Sequence, residues 1–276
     1  YSAELECYHE SIVVHDIESE ELRCSNDFDL VIVLGMNNRE AQRVYAQCYE
    51  YKLNQVPVVF GNDERGLAFG AANWKSIDLT ILGMFHLATQ YIAGLERKGA
   101  YAEFGVFDGR SFTMACHSLR NVCSEFCAFD SFQGIVGALE NEKQLYVDGG
   151  YFANLETFWH NMEVAGCADL PIRAIKGSFQ ETLQGRTAVQ DNIDHISVVH
   201  IDSDVYEAAK LALDYVTPSL INGALIMFDE FHAFGANDNK GERRALKEWL
   251  RENPDISVEI YRNYTSVSRS YIVHKE

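Results

Sequence analysis

At 276 residues the chain is long enough for one large α/β domain or for a domain with an appendage. Its 47% hydrophobic and 12% aromatic content excludes a wholly disordered, collagen-like or low-complexity chain. A balance of 23 Lys and Arg against 41 Asp and Glu leaves a formal charge of −18, which argues against nucleic acid or an anionic membrane surface as partner.

Taken in chain order, Asp29–Leu34 reads as a strand, Arg39–Tyr51 as a helix and Val56–Phe60 as a strand, a small α/β unit or an extension of a larger sheet. The glycine-punctuated stretch Gly61–Gly70 leads to an amphipathic helix over Ile77–Leu95, closed by Arg97, Lys98 and Gly99 as helix C-termini prefer. A domain boundary is placed near residue 74, giving an N-terminal extension over 1–74 and a main domain over 75–276. Phe60–Gly70 with Trp74 is a candidate lid, and the aromatic-rich N-terminal third is compatible with a homo-oligomer.

Beyond that point short apolar runs alternate with amphipathic segments, the pattern of a parallel sheet covered on both faces. Strands are expected at Ala100–Val106, Phe126–Phe129, Ile172–Lys176, Ile196–Ile201 and Ala224–Phe228, then at Ile256–Tyr261 and Tyr271–His274. Helices are expected at Ser111–Leu119, Leu155–Val164, Phe179–Leu183, Val205–Val216 and Gly241–Arg251. The last two strands are joined by Arg262–Arg269, too short for a crossover helix, so they should form an antiparallel hairpin at a sheet edge. The fold expected is a Rossmann-like, doubly wound sheet of seven strands, five of them parallel.

The seven cysteines, Cys7, Cys24, Cys48, Cys116, Cys123, Cys127 and Cys167, are odd in number and scattered, which reads as a reducing, cytoplasmic setting. Cys123 and Cys127 lack the spacing of a structural zinc site and read as buried thiols. No apolar run approaches the ~20 residues of a membrane span. The chain opens on Tyr1 rather than Met, as a processed chain or an excised fragment would.

Chemistry concentrates where strands end. Glu103, Gly105, Asp108 and Gly109 form an acid-lined glycine loop between a strand and a helix, where ligands enter open α/β sheets. The loop lacks the G-x-G-x-x-G of a diphosphate cradle and suits a cationic ligand better. Asp130 lies 25 residues beyond Gly105, near the ~20-residue offset of an acid that takes ribose hydroxyls. A lone Asp at a strand end also reads as a turn or cap. The densest group is Asp202 and Asp204 after one strand with Asp229 and Glu230 after the next. Neighbouring parallel strands lie about 5 Å apart, so Asp202, Asp229 and Glu230 converge. Two bare carboxylates ~4 Å apart repel by about 4 kcal/mol at an effective dielectric of ~20, so the group calls for protons or a hard cation, Mg²⁺, Mn²⁺ or Ca²⁺.

From about Ser76 onward these residues resemble the metal-dependent class I S-adenosylmethionine methyltransferases of the macrocin, mycinamicin and novobiocin sugar O-methyltransferase (TylF-like) type. Glu103, Gly105, Gly109 and Ser111 match the family's E-x-G-x-x-x-G-x-S loop, which binds the methionine part of the cofactor. Asp130 and Ser131 match a D-S pair at the ribose and adenine edge, and Gly177, Ser178 and Phe179 a G-x-F segment beside adenine. Asp202, Asp204 and Tyr206 match D-x-D-x-Y, with Asp202 also on the cofactor side, and Asp229 with Glu230 matches the acidic pair. The family's pair is usually Asp-Asp, and its glycine loop usually carries paired glycines where this chain has Phe107, Asp108, Gly109 and Arg110.

The resemblance implies in-line transfer of a sulfonium methyl to a hydroxyl of a sugar, glycosylated small molecule or glycan. It implies Mg²⁺ on Asp202, Asp229 and Glu230, and Asp204 as general base. His232 is a second candidate base, and His200, deeper on the strand, reads as a satisfied core histidine. The rival enzyme readings take Asp202 and Asp204 as the D-x-D of a haloacid-dehalogenase-like phosphatase or of a glycosyltransferase; the non-enzyme rival is a methyltransferase-like binding scaffold.

Overall fold

The computed structural model describes residues 31–34, 58–61, 81–140, 142–143, 145–146 and 149–275. β1 (Val31–Leu34) pairs in parallel with β2 (Val58–Gly61), where strands are expected from the sequence. The expected helix over 39–51, most of the candidate lid, and the boundary near residue 74 lie outside the described residues.

The main sheet comprises β3 (Ala100–Phe104), β4 (Phe126–Asp130), β5 (Ile172–Lys176), β6 (Ile196–Ile201), β7 (Leu220–Phe228), β8 (Ile256–Asn263) and β9 (Arg269–Lys275), in the order β5-β4-β3-β6-β7-β9-β8. β3 to β7 are mutually parallel, and β9 runs antiparallel to both β7 and β8. The central strands are buried on both sides, as continuous runs such as Ile196–Ile201 require.

Alternation along β3 separates two apolar layers. Ala100, Ala102 and Phe104 pack on one face with Phe129, Val199, Ile201, Tyr215 and Trp249. Tyr101 packs on the other with Phe85, Phe112, Phe126, Phe158 and Val198. α1 (Ile81–Ala93), α2 (Arg110–Leu119) and α3 (Leu155–Val164) cover the second face. α4 (Phe179–Thr182), α5 (Tyr206–Val216) and α6 (Gly241–Glu252) cover the first.

The terminal strands form the antiparallel hairpin expected at a sheet edge. Its second strand, β9, inserts between β7 and β8, so β8 alone forms the edge. Burial explains this: Ser270, Tyr271 and Val273 of β9 are buried, while most of β8 is exposed. Among the described residues no helix is long and apolar enough to cross a membrane.

Candidate active site

The carboxyl ends of the parallel strands form one continuous rung. The ladder bonds run on past the strand ends: Gly177 N–H donates to Asp130 O (3.0 Å), Gly105 to Phe129 O (2.8 Å), Asp202 to Phe104 O (2.9 Å) and Asp229 to Ile201 O (3.0 Å). Chain order reverses between β3 and β6, and the crevice at that switch point is where open α/β sheets bind ligands. A cavity of about 460 Å³ opens there, within the range of small-molecule sites. Of the residues singled out in the sequence, Gly105, Ser111, Asp130, Ser131, Ser178, Phe179, Asp202, Asp204, Asp229 and Glu230 line it; Glu103, Gly109 and His232 do not.

The glycines of the β3–α2 loop answer to the protein itself. Gly105 has φ 94°, and a Cβ there would lie 1.8 Å from Asp202 O. Gly109 has φ 89°, and a Cβ there would meet Met162 Cε at 2.6 Å. The close approach expected of a ligand is thus made by β6 and α3. Glu103, fully buried beneath the loop, accepts hydrogen bonds from Tyr101 Oη and from Ser111 Oγ.

Asp130 supports the same loop. Its Oδ2 accepts from the N–H groups of Val106 (2.9 Å) and Phe107 (2.8 Å), and its Oδ1 from Phe132 N–H (2.6 Å). Burial raises its pKa against the pull of these bonds. Ser131 Oγ closes a turn onto Gly134 O at 2.8 Å, and Ser178 with Glu181 forms a capping box at α4. Both serines therefore have local structural work at the cavity wall.

Asp202, Asp204, Asp229 and Glu230 all border the cavity. Carboxylate oxygens of Asp202, Asp204 and Glu230 lie within 4.8 Å of one another, while Asp229 Oδ1 is held by Ser268 Oγ at 3.2 Å. Asp204 reaches this position with φ 64°, a left-handed conformation that Asp tolerates better than most residues. Burial and the neighbouring acids push the Asp202 carboxyl well above its usual range. Burial and then Asp229 push Asp204 to about 7, and burial and then Asp202 push Glu230 to about 12. Glu230 Oε2 and Ser203 Oγ are buried without a hydrogen-bond partner. Orphaned oxygen atoms beside clustered acids fit a hard divalent cation.

His200 departs from the satisfied core residue expected. It is fully buried, its Nδ1 lies 3.6 Å from Glu103 Oε1, and neither ring nitrogen is hydrogen-bonded. Burial pulls its pKa down, but Glu103, Asp202 and Asp229 overcome this and push it to about 9. Glu103, His200 and Asp202 form a second group whose candidate ligand atoms lie within 4.8 Å of one another. His232 is not among the residues that line the cavity. Its Nδ1 lies 3.4 Å from Arg243 Nη1, and burial with Arg269 and Arg243 lowers its pKa.

Sequence reasoning passed over Glu242, Tyr146 and Glu142. Glu242, buried in the first turn of α6, accepts Glu230 N–H at 3.0 Å. Tyr146 lines the cavity, and burial with Glu230 and Asp204 raises its pKa. An acid in a first helical turn is an ordinary complement to the helix dipole, so only the fold distinguishes Glu242. Asp202 and Asp204 close β6, the fourth parallel strand in chain order, not the first strand on which a haloacid-dehalogenase-like D-x-D is expected.

Residues 102–231 match the protein-family model described as a methyltransferase domain. A curated relative, the 8-demethyl-8-(2,3-dimethoxy-alpha-L-rhamnosyl)-tetracenomycin-C 4'-O-methyltransferase of Streptomyces olivaceus, is 27% identical over 174 residues, 58% of this chain. The chain spans 65% of that relative's length. Among solved structures, the O-methyltransferase NovP aligns with a TM-score of 0.60 at 20% identity, over 71% of this chain and 79% of its own. The calicheamicin methyltransferase CalS11 aligns with a TM-score of 0.52 at 15% identity, over 84% and 91%. The described region has the fold of class I methyltransferases, and residues 102–231 are similar to a methyltransferase domain.

Proposed function

We propose that this chain, whose residues 102–231 match a methyltransferase-domain model, transfers a methyl group from S-adenosylmethionine to a hydroxyl of a sugar, glycosylated small molecule or glycan, with a divalent cation at the acid group. The observation that carries the reading is the cavity at the β3/β6 switch point, with the glycine loop and Asp130 on one wall and Asp202, Asp204 and Glu230 on the other. When bound, S-adenosylmethionine supplies an electrophilic methyl, and Mg²⁺ supplies a Lewis acid that lowers the pKa of an acceptor hydroxyl.

Each residue then has a physical task. Asp130 Oδ1, with one backbone donor, retains a lone pair for a ribose hydroxyl. Ser131, Ser178 and Phe179 border the adenine end, and Gly105, with Ser111 held by Glu103, borders the methionine end. Asp202 and Glu230 would hold the cation, with Asp229 beside them. Asp204, with a pKa near 7, is matched to taking the hydroxyl proton at neutral pH, a contribution of about 10² to 10⁴ in rate. Described cysteines Cys116, Cys123, Cys127 and Cys167 are free buried thiols, consistent with a cytoplasmic setting.

Two measurements test this reading. Calorimetric titration with S-adenosylhomocysteine should give a saturable heat. Radiolabelled methyl from S-adenosylmethionine should appear on a neutral aryl rhamnoside or another glycoside of a panel, and chelation should suppress the transfer. Absence of cofactor binding would overturn the reading; transfer unaffected by chelation would remove the metal from it.

A further inference from the structure

We infer that Glu142 is a positioning residue, one buried carboxylate that ties the wall of the cavity to both acid-bearing segments. Glu142 is 0% exposed. Its Oε1 accepts two backbone N–H groups, Tyr206 at 3.1 Å and Gly241 at 3.1 Å, and its Oε2 accepts Leu139 N–H at 3.1 Å. Tyr206 and Gly241 are the first residues of α5 and α6, and neither helix receives a side-chain cap from its own N-cap residue, Val205 or Lys240. A helix start leaves backbone donors without partners and carries a partial positive charge. Here a single carboxylate from the β4–α3 loop serves both starts.

The consequence lies in what these atoms are joined to. Asp204 stands two residues before Tyr206, in a turn closed by Val205 N–H on Ser203 O at 2.7 Å. Glu242 follows Gly241 and holds Glu230 N–H at 3.0 Å. On the loop, Tyr146 donates its N–H to Glu142 O at 3.2 Å, lines the cavity and packs its ring on Phe234 at 5.7 Å. Three segments distant in sequence thus meet at one side chain. Releasing it frees the Asp204 turn, the start of α6 and the Tyr146 wall together. The donor set requires a carboxylate, because the amide nitrogen of Gln would face an N–H group where Glu142 offers an oxygen.

The inference rests on hydrogen bonds and not on methyl transfer, and the test keeps the two apart. The wild-type chain, Glu142→Gln and Glu142→Ala are compared by hydrogen exchange, with Mn²⁺ alone as the ligand probe and Asn154→Ala, which removes the α3 cap, as control. In both Glu142 variants exchange should accelerate about 10-fold or more in peptides covering 203–210 and 239–246, and Mn²⁺ affinity should fall about 10- to 100-fold. In Asn154→Ala neither should change. The inference is overturned if those peptides exchange as in wild type, or if exchange accelerates equally throughout the sheet, which marks a general loss of stability. Failure of wild type to bind Mn²⁺ would remove the metal from the proposed function, while the exchange pattern still decides the role of Glu142.

Discussion

Gly105 and Asp202 are in direct backbone contact across the switch point: a Cβ on residue 105 would sit 1.8 Å from the Asp202 carbonyl oxygen. The glycine loop and the acid-bearing strand end can approach only because residue 105 has no side chain. This couples the two walls of the cavity at their base.

Gly105→Ala should therefore be far more costly than substitution at a glycine that shares only the positive φ. Gly149 has φ 80° with nothing within 4 Å of a Cβ, so Gly149→Ala carries backbone strain alone, about 1–2 kcal/mol. Gly105→Ala adds a backbone clash and should lose about 4 kcal/mol or more, or fail to fold. Urea unfolding of the two variants checks the ranking, and equal losses would contradict it.

Removing one acid should stabilise the metal-free protein while abolishing its chemistry. Asn tolerates the left-handed conformation of residue 204, so Asp204→Asn preserves the backbone. Its thermal midpoint should rise by a few degrees at pH 8, because one buried like charge is gone, and methyl transfer should fall by about 10² to 10⁴. A variant that loses stability without losing turnover would contradict both roles.

The metal-free protein should become less stable as pH rises. Asp204 moves from the usual 3.8 to about 7, so between those values the folded state binds more protons than the unfolded one, and stability is lost as pH increases. His200 moves from 6.5 to about 9, so the stability it contributes is complete below 6.5 and is lost as pH rises through 9. The two groups act with the same sign. Thermal midpoints measured across this range in chelator should fall steadily, and Asp204→Asn should flatten the lower part of the curve.

A divalent cation should reverse that loss. At about 100 times its dissociation constant, Mg²⁺ or Mn²⁺ bound only by the folded state adds about 2.7 kcal/mol, or some 5–11 °C in midpoint for a domain of ~150–250 residues. The gain should be largest at alkaline pH, where no proton competes, and should be absent in Glu230→Gln, which lacks one of the grouped carboxylates. An equal shift in that variant would place the cation elsewhere.

Much of the fold was legible because its signals are local. Short apolar runs and amphipathic segments mark β3 to β9 and the covering helices to within a few residues, and strand ends bearing Gly105, Asp130, Asp202 and Asp229 announce a crevice because parallel strands must present those ends together. The order of β8 and β9 was not legible. It depends on which strand of the hairpin can be buried against β7, a comparison made only once the sheet exists.

The site divides in the same way. The sequence by itself determined that acids and glycines gather at the carboxyl edge, since residue type and spacing place them there. Only the tertiary structure decided which oxygen atoms meet: Asp204 joins Asp202 and Glu230, His200 pairs with Glu103, and His232 lies beside Arg243. It also recruited Glu142 and Glu242, acids with no motif of their own. Short-range spacing fixes which strand end a residue occupies, whereas side-chain direction and burial depend on contacts between segments tens of residues apart.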